Sequence, residues 1–256
     1  MKSFFRSAVR NMLPKNLTLA YDGYRQDKLR RRNQRMTTEE VFTDIYTKNR
    51  WGGNPGTFCS GAGSHEADIV SPYVARMTAQ LRQMGADSMT VVDLGCGDYS
   101  VGRQLAPVCG KYIGVDIVKP LIAHHQAAFS GPNVSFLHAN IVEDPLPDGD
   151  ICFVRQVLQH LSNAQIAAVV PKLEKFRSCF ITEHHPSPAR FRRPNEDKPH
   201  GDSIRMSLGS GVFLEEPPFN IPLTTYRLLL EVPGIPPGDD SDAGVIRTYV
   251  LTRDVV

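Results

Sequence analysis

The chain has 256 residues, 41% of them hydrophobic and 22% charged, which fits a globular protein with a sizeable core. No apolar stretch approaches the roughly 20 residues of a membrane span, so no bilayer-crossing helix is expected. The five cysteines (Cys59, Cys96, Cys109, Cys152, Cys179) form no C-x-x-C pair and are odd in number, which argues against a complete disulfide framework and for a reducing, cytoplasmic setting.

The net charge of +2 is unevenly divided. Residues 1–36 hold ten Lys or Arg and two acids (Asp22, Asp27), whereas the remainder holds 19 basic and 25 acidic residues. Within this basic leader, set at residues 1–37, Phe4, Phe5, Val9, Met12 and Leu13 recur at near-helical spacing between Lys2, Arg6 and Arg10. A locally docked terminus, peripheral contact with an anionic membrane surface and a targeting presequence all fit that pattern.

Residues 38–256 are expected to form one domain. A helix over 38–48 opens at Thr38 with Glu39 and Glu40 in its first turn. The glycine-rich loop WGGNPGTFCSGAGS (51–64) follows, and then Ile69, Val70, Tyr73, Val74, Met77, Leu81 and Met84 trace one helical face. From residue 89 the pattern changes to short apolar runs alternating with helices: 89–95, 111–117, 133–140, 150–157 and 178–184. The clearest intervening helix spans 163–176, with Asn163 as its expected cap. Continuous apolar strands alternating with helices imply an α/β fold, a doubly wound and mainly parallel sheet. Residues 186–220 are rich in proline and charge and too long for an ordinary connection; they are expected to recognise an acceptor, with Arg190, Arg192, Arg193 and Arg205 as forked donors. Runs at 226–232 and 244–252 are expected to close the chain as an antiparallel strand pair.

In an open parallel sheet ligands gather beyond the carboxyl ends of the strands. The first strand ends in Asp93-Leu94-Gly95-Cys96-Gly97-Asp98, where Gly95 and Gly97 permit a sharp, bare turn. The second ends in Asp116, suited to ribose hydroxyls, and the third at Asn140-Ile141, suited to an adenine. A dinucleotide site wants a third glycine at position 100, which is Ser100, and a pyrophosphate disfavours the carboxylates of Asp93 and Asp98. S-adenosylmethionine carries no phosphate and bears both an ammonium and a sulfonium, so the acidic surroundings favour it.

VVDLGCGDYSVG, YIGVDIV and RQVLQHLSN resemble the successive motifs of class I methyltransferases over about residues 88–185, the cofactor-binding core. The Trp-Gly…SGAGS loop, ITEHHPS, PNEDKPHG, SGVFLEEPPF and GVIRTY are similar to segments of small bacterial sugar (fucosyl) O-methyltransferases. The resemblance implies that Asp93, Gly95 and Gly97 meet the methionine part, Asp116 the ribose, and Asn140 with Ile141 the adenine. It also implies that Arg155 and Gln156 line the methyl-transfer side. Many relatives place an acid where Asn140 stands, which weakens one contact.

A sugar hydroxyl needs a base. The candidates are His160 after the fourth strand and Glu183 and His184, with His185, at the end of the fifth. Ser64 and the SGAGS loop are candidates for the methionine carboxylate, and Trp51 and Tyr99 for stacking faces. His200 and Asp202, with Glu183 and His184, have no diagnostic ligand spacing, so no metal is assigned. The expected partner is a sugar-containing small molecule or glycolipid. A lipid or other small-molecule acceptor and a non-catalytic cofactor-binding subunit are the alternatives, and the short basic cluster at Arg30–Arg32 does not favour nucleic acid.

Overall fold

The computed structural model describes residue 28 and residues 31–235 and 243–252. Contacts divide the chain between Thr37 and Thr38. The amphipathic stretch expected near the N-terminus lies outside the described residues. The second unit is built on a seven-stranded sheet: β1 (Thr90–Leu94), β2 (Lys111–Asp116), β3 (Val134–His138), β4 (Ile151–Arg155), β5 (Ser178–His185), β6 (Tyr226–Pro233) and β7 (Val245–Thr252). Their order is β3-β2-β1-β4-β5-β7-β6. The first five run parallel, and β7 pairs antiparallel with both β5 and β6. The order reverses between β1 and β4, so the switch point falls where the glycine-rich turn leaves β1.

Period-two alternation sends side chains to two separate cores. Val92, Leu94, Cys152, Val154, Cys179 and Ile181 pack on one face against Ile166 and Val169 of α5 (Asn163–Val169). Val91, Tyr112, Ile151, Phe153 and Phe180 pack on the other against Tyr73, Met77 and Leu81 of α2 (Ala67–Met84). By the same alternation Asp93 and Arg155 point to the α2 face at the carboxyl end of the sheet. Helix α1 (Thr38–Thr47) precedes α2, α3 (Gly102–Leu105) follows β1, and α4 (Lys119–Phe129) links β2 to β3.

The helix expected over 163–176 is shorter. It is α-helical only to Val169 and continues as a 3-10 segment, Val170–Lys175, because Pro171 lacks an N–H. Its cap is Ser162 rather than Asn163, in a reciprocal capping box with Gln165.

The stretch 186–220 is folded onto the turn that follows β4. Arg205 is 1% exposed, and its guanidinium donates to the carbonyls of Leu158 (3.3 Å), Gln159 (3.2 Å), Leu161 (2.9 Å) and Glu196 (2.9 Å) and to Asn163 Oδ1 (2.9 Å). All five N–H donors are thereby used. The reading of Arg205 as an acceptor-binding donor is corrected: it is an internal clamp. Arg190, Arg192 and Arg193 are exposed. Nearby, Asn195 donates to the Phe213 carbonyl and accepts from the Phe213 amide, both at 2.8 Å, which closes the segment on itself.

Arg205→Ala would strand several buried carbonyls at once. It is expected to lower unfolding free energy by on the order of 3 kcal/mol, measured by urea denaturation. Arg205→Lys should recover only part, because an ammonium cannot reach five acceptors. A loss within experimental error for Arg205→Ala would show that the clamp contributes nothing.

Candidate cofactor and acceptor site

The turn after β1 has Gly95 at φ +74° and Gly97 at φ +55°, a region that side-chain-bearing residues rarely occupy. Space forbids a side chain as well: a Cβ on Gly95 would lie 2.5 Å from Val157 Cγ2, and one on Gly97 2.3 Å from Ser60 Oγ. The amides of Gly95 and Cys96 donate to the Val115 carbonyl at 2.8 and 3.0 Å, stitching the turn to β2. Asp116 accepts from the amides of Gly97 (3.1 Å) and Val118 (3.0 Å), and His125 Nε2 meets the Gly97 carbonyl at 2.7 Å.

Asp93, at the end of β1, accepts a hydrogen bond from the Tyr112 hydroxyl. Gly102 makes room for that hydroxyl, since a Cβ there would come within 2.1 Å of it. Burial pushes the Asp93 carboxyl up to about 6, against the lowering effects of Tyr112 and Arg155. Burial likewise raises Asp116 to about 6, opposed by its amide hydrogen bonds. Two carboxylates so placed are costly to ionise alone and welcome a cation.

The loop 60–64 is tied to this turn by reciprocal bonds. Asp98 accepts from the Ser60 amide at 2.6 Å, and Ser60 Oγ accepts from the Asp98 amide at 2.8 Å. Tyr46 of α1 shares a 2.8 Å hydrogen bond with Ser60 Oγ. From β4, Arg155 donates to the Gly63 carbonyl (2.6 Å) and to Ser64 Oγ (3.3 Å), and its guanidinium lies 4.9 Å from the Tyr73 ring centroid.

These elements border one open cleft at the carboxyl ends of the strands. Asp93, Gly95, Gly97, Asp116, Asn140, Ile141, Arg155, Gln156, Ser64 and His160 all line it. Trp51 and Phe42 line it beside His160, with ring centroids 5.0 and 6.4 Å from the imidazole. His160 Nδ1 lies 3.0 Å from the Gly201 carbonyl, so it carries the proton, and the lone pair of Nε2 faces the Gln159 Nε2 amide at 3.4 Å. Burial, reinforced by the charge of Lys198, lowers the imidazole pKa to about 3, which keeps it neutral.

The cluster closing β5 lies elsewhere. Glu183 is buried and accepts from the amides of Leu158 (2.9 Å) and Gln159 (3.0 Å). Burial raises it to about 8. His184 Nε2 lies 2.6 Å from the Ala243 carbonyl. His185 packs edge-on against Phe213 at 4.7 Å. None of the three lines the cleft, so the reading of Glu183 and His184 as acceptor-contacting groups is corrected: Glu183 holds the turn that carries His160, and His184 holds the approach to β7. Tyr99 is also moved, being 4% exposed among Tyr112, Phe129 and Phe136 and therefore core.

Sequence reasoning missed Tyr112, His125 and Tyr46, and named Ser60 only as part of the SGAGS loop. The roles of the missed three depend on reaching the turn from β2, α4 and α1, and only the i, i+4 pair Phe42 and Tyr46 on one face of α1 offered a signal.

Residues 91–176 match the methyltransferase domain family. The acid-ringed glycine turn fits a cationic cofactor such as S-adenosylmethionine. A probable S-adenosylmethionine-dependent methyltransferase of Mycolicibacterium smegmatis is 36% identical over 73 residues, a match covering 28% of each chain; it thus spans little more than a quarter of that relative. Among solved structures, a methyltransferase from Anabaena variabilis superposes with a TM-score of 0.56 at 12% identity, covering 86% of this chain and 96% of the other. Magnesium protoporphyrin IX methyltransferase from Synechocystis superposes with 0.53 at 15% identity, covering 85% of this chain and 100% of the other. At such identities these likenesses speak for the fold.

Asp93 and Asp116 favour the cationic cofactor only when ionised. Affinity for S-adenosylmethionine in calorimetry is therefore expected to hold above about pH 6 and to weaken as pH falls through that value. An affinity unchanged down to pH 4.5, well below both raised carboxyl values, would show that neither group serves the cofactor.

Proposed function

We propose that the chain transfers a methyl group from S-adenosylmethionine to a hydroxyl of a sugar, a deoxyhexose such as fucose on an oligosaccharide or glycolipid. The reading is carried by a neutral imidazole, His160, with its Nδ1–H committed to Gly201, in the same cleft as the acid-ringed glycine turn and flanked by Trp51 and Phe42. Aromatic rings beside a base suit a ring that shows an apolar face and polar edges. The likeness of the SGAGS loop and the late segments to fucosyl O-methyltransferases points the same way.

The residues fit the cofactor. Asp93 would take its ammonium, Asp116 its ribose, Asn140 and Ile141 its adenine, and Arg155 with Ser64 its carboxylate. When bound, the cofactor supplies an electrophilic methyl group. The chain's own part is to align the acceptor and to hold its proton. His160 Nε2 accepts the hydrogen bond of the acceptor hydroxyl, and the proton passes to it as the oxygen loses electron density. With a pKa near 3 the imidazole is unprotonated across the physiological range, and it takes the proton only while the transfer proceeds. A basic leader at residues 1–37 would suit an acceptor displayed on an anionic membrane, and no helix among the described residues is long and apolar enough to cross one.

Incubation with methyl-labelled cofactor and a panel of fucosides, rhamnosides, glycolipids, plain lipids, amines and RNA should place label in the sugar-bearing fractions. Label confined to lipid, amine or RNA would end the sugar reading, and cofactor binding with no transfer at all would favour a non-catalytic subunit. His160→Ala should lower kcat by roughly 10²-fold with cofactor affinity preserved. The wild-type kcat should show no inflection at the ordinary imidazole value of about 6.5. Full turnover in the variant would remove His160 from the chemistry.

A further inference from the structure

Cys59, His65 and Asp98 bring a thiol, an imidazole and a carboxylate to the outer side of the loop that covers the glycine turn. One ligand atom from each lies within 4.8 Å of the others, and His65 Nε2 is 2.7 Å from Asp98 Oδ2. Tetrahedral zinc with bonds of roughly 2.0–2.3 Å separates its ligand atoms by about 3.3–3.8 Å, so small side-chain shifts would accommodate an ion. We propose that Cys59, His65 and Asp98 form a zinc site with an open fourth position, which staples the 59–65 loop to the turn after β1.

The donor set selects the metal class. Sulfur and nitrogen ligands favour zinc over magnesium or calcium, which demand oxygen cages. The carboxylate is oriented from behind, as outer-shell partners orient metal ligands: Asp98 Oδ1 accepts from the Ser100 amide at 3.0 Å, and Oδ2 from the Ser60 amide at 2.6 Å. Burial alone would raise the Asp98 carboxyl, but these amide bonds, with those from the Ser100 and His65 side chains, hold it below its ordinary value. His65 is 46% exposed at its side chain, so an ion has a way in, and Cys59 is half-buried and free. Asp98 also lines the cofactor cleft, whereas Cys59 and His65 do not, so the ion would sit behind the cleft wall.

The test uses the full chain without cofactor, so its outcome is independent of the methyl-transfer reading. Cobalt(II), as a spectroscopic stand-in for zinc, should give a thiolate-to-metal charge-transfer band saturating at one ion per chain, and zinc should displace it. Cys59→Ser should abolish the band. His65→Ala should weaken binding by at least about a hundredfold, since losing an outer-shell partner alone costs on the order of ten- to a hundredfold. Zinc should raise the melting temperature of the wild type but not of Cys59→Ser. Absence of the band in the wild type, or a band that persists in Cys59→Ser, would overturn the site; unaltered melting of metal-free Cys59→Ser would confirm that the variant is folded.

Discussion

The turn leaving β4 is gripped from two sides by buried ionisable groups. Glu183 takes the amides of Leu158 and Gln159, while Arg205 takes the carbonyls of Leu158, Gln159 and Leu161. A short turn between a strand and a helix cannot satisfy its own backbone groups, and burying them unpaired costs about 1–3 kcal/mol apiece. A carboxyl group on the donor side and a guanidinium on the acceptor side solve both halves of that problem. His160 sits inside this grip, with its amide oxygen also bonded by Lys198 (3.3 Å) and the Gly201 amide (3.0 Å). The proline-rich stretch 186–220 thus braces one wall of the cleft, because it delivers Arg205, Lys198 and Gly201 to one turn.

The two ends of the cleft are built on opposite electrostatic principles. At the cofactor end, carboxylates raised to about 6 lie close to bare backbone, so the site is poised to gain when a positive charge arrives. At the other end, the His160 imidazole is kept neutral by burial and by the nearby positive charge of Lys198. A cationic imidazole beside a sulfonium would repel it, so a neutral His160 is compatible with a positively charged ligand in the same cleft.

Much of this was legible in the residues. The alternation of apolar runs gave the parallel sheet and its closing antiparallel pair, since period and run length are local properties. Asp93, Gly95, Gly97, Asp116, Asn140 and Ile141 were legible because strand ends place them at the switch point. Glu183 and His184 misled for a local reason: chemistry-bearing residues at a strand terminus look alike whether they face a cleft or a neighbouring turn. Only the position of the 158–161 backbone, fixed by Arg205 from more than 40 residues away, decides which. Tyr112 stayed hidden because its partner Asp93 lies on the adjacent strand, where register rather than sequence spacing brings them together.

Two non-glycine residues near the site adopt positive φ, Tyr99 at +66° and Gln156 at +55°, and their strain has different causes. Tyr99 is turned inward to pack its ring 4.9 Å from Phe136 and 5.4 Å from Tyr112, which shields the hydroxyl that bonds Asp93. Gln156 donates its amide to the Thr182 carbonyl at 2.6 Å, and its side chain presses on Gly63, where a Cβ would lie 2.2 Å from Oε1. That contact fixes the amide at the cleft wall, yet its buried Nε2 has no hydrogen-bond partner among the described residues, and neither has Arg155 Nε. Strained backbone and orphaned donors are both unfavourable in isolation. Their coincidence on consecutive residues between the glycine turn and His160 is accounted for if a ligand's oxygens complete them.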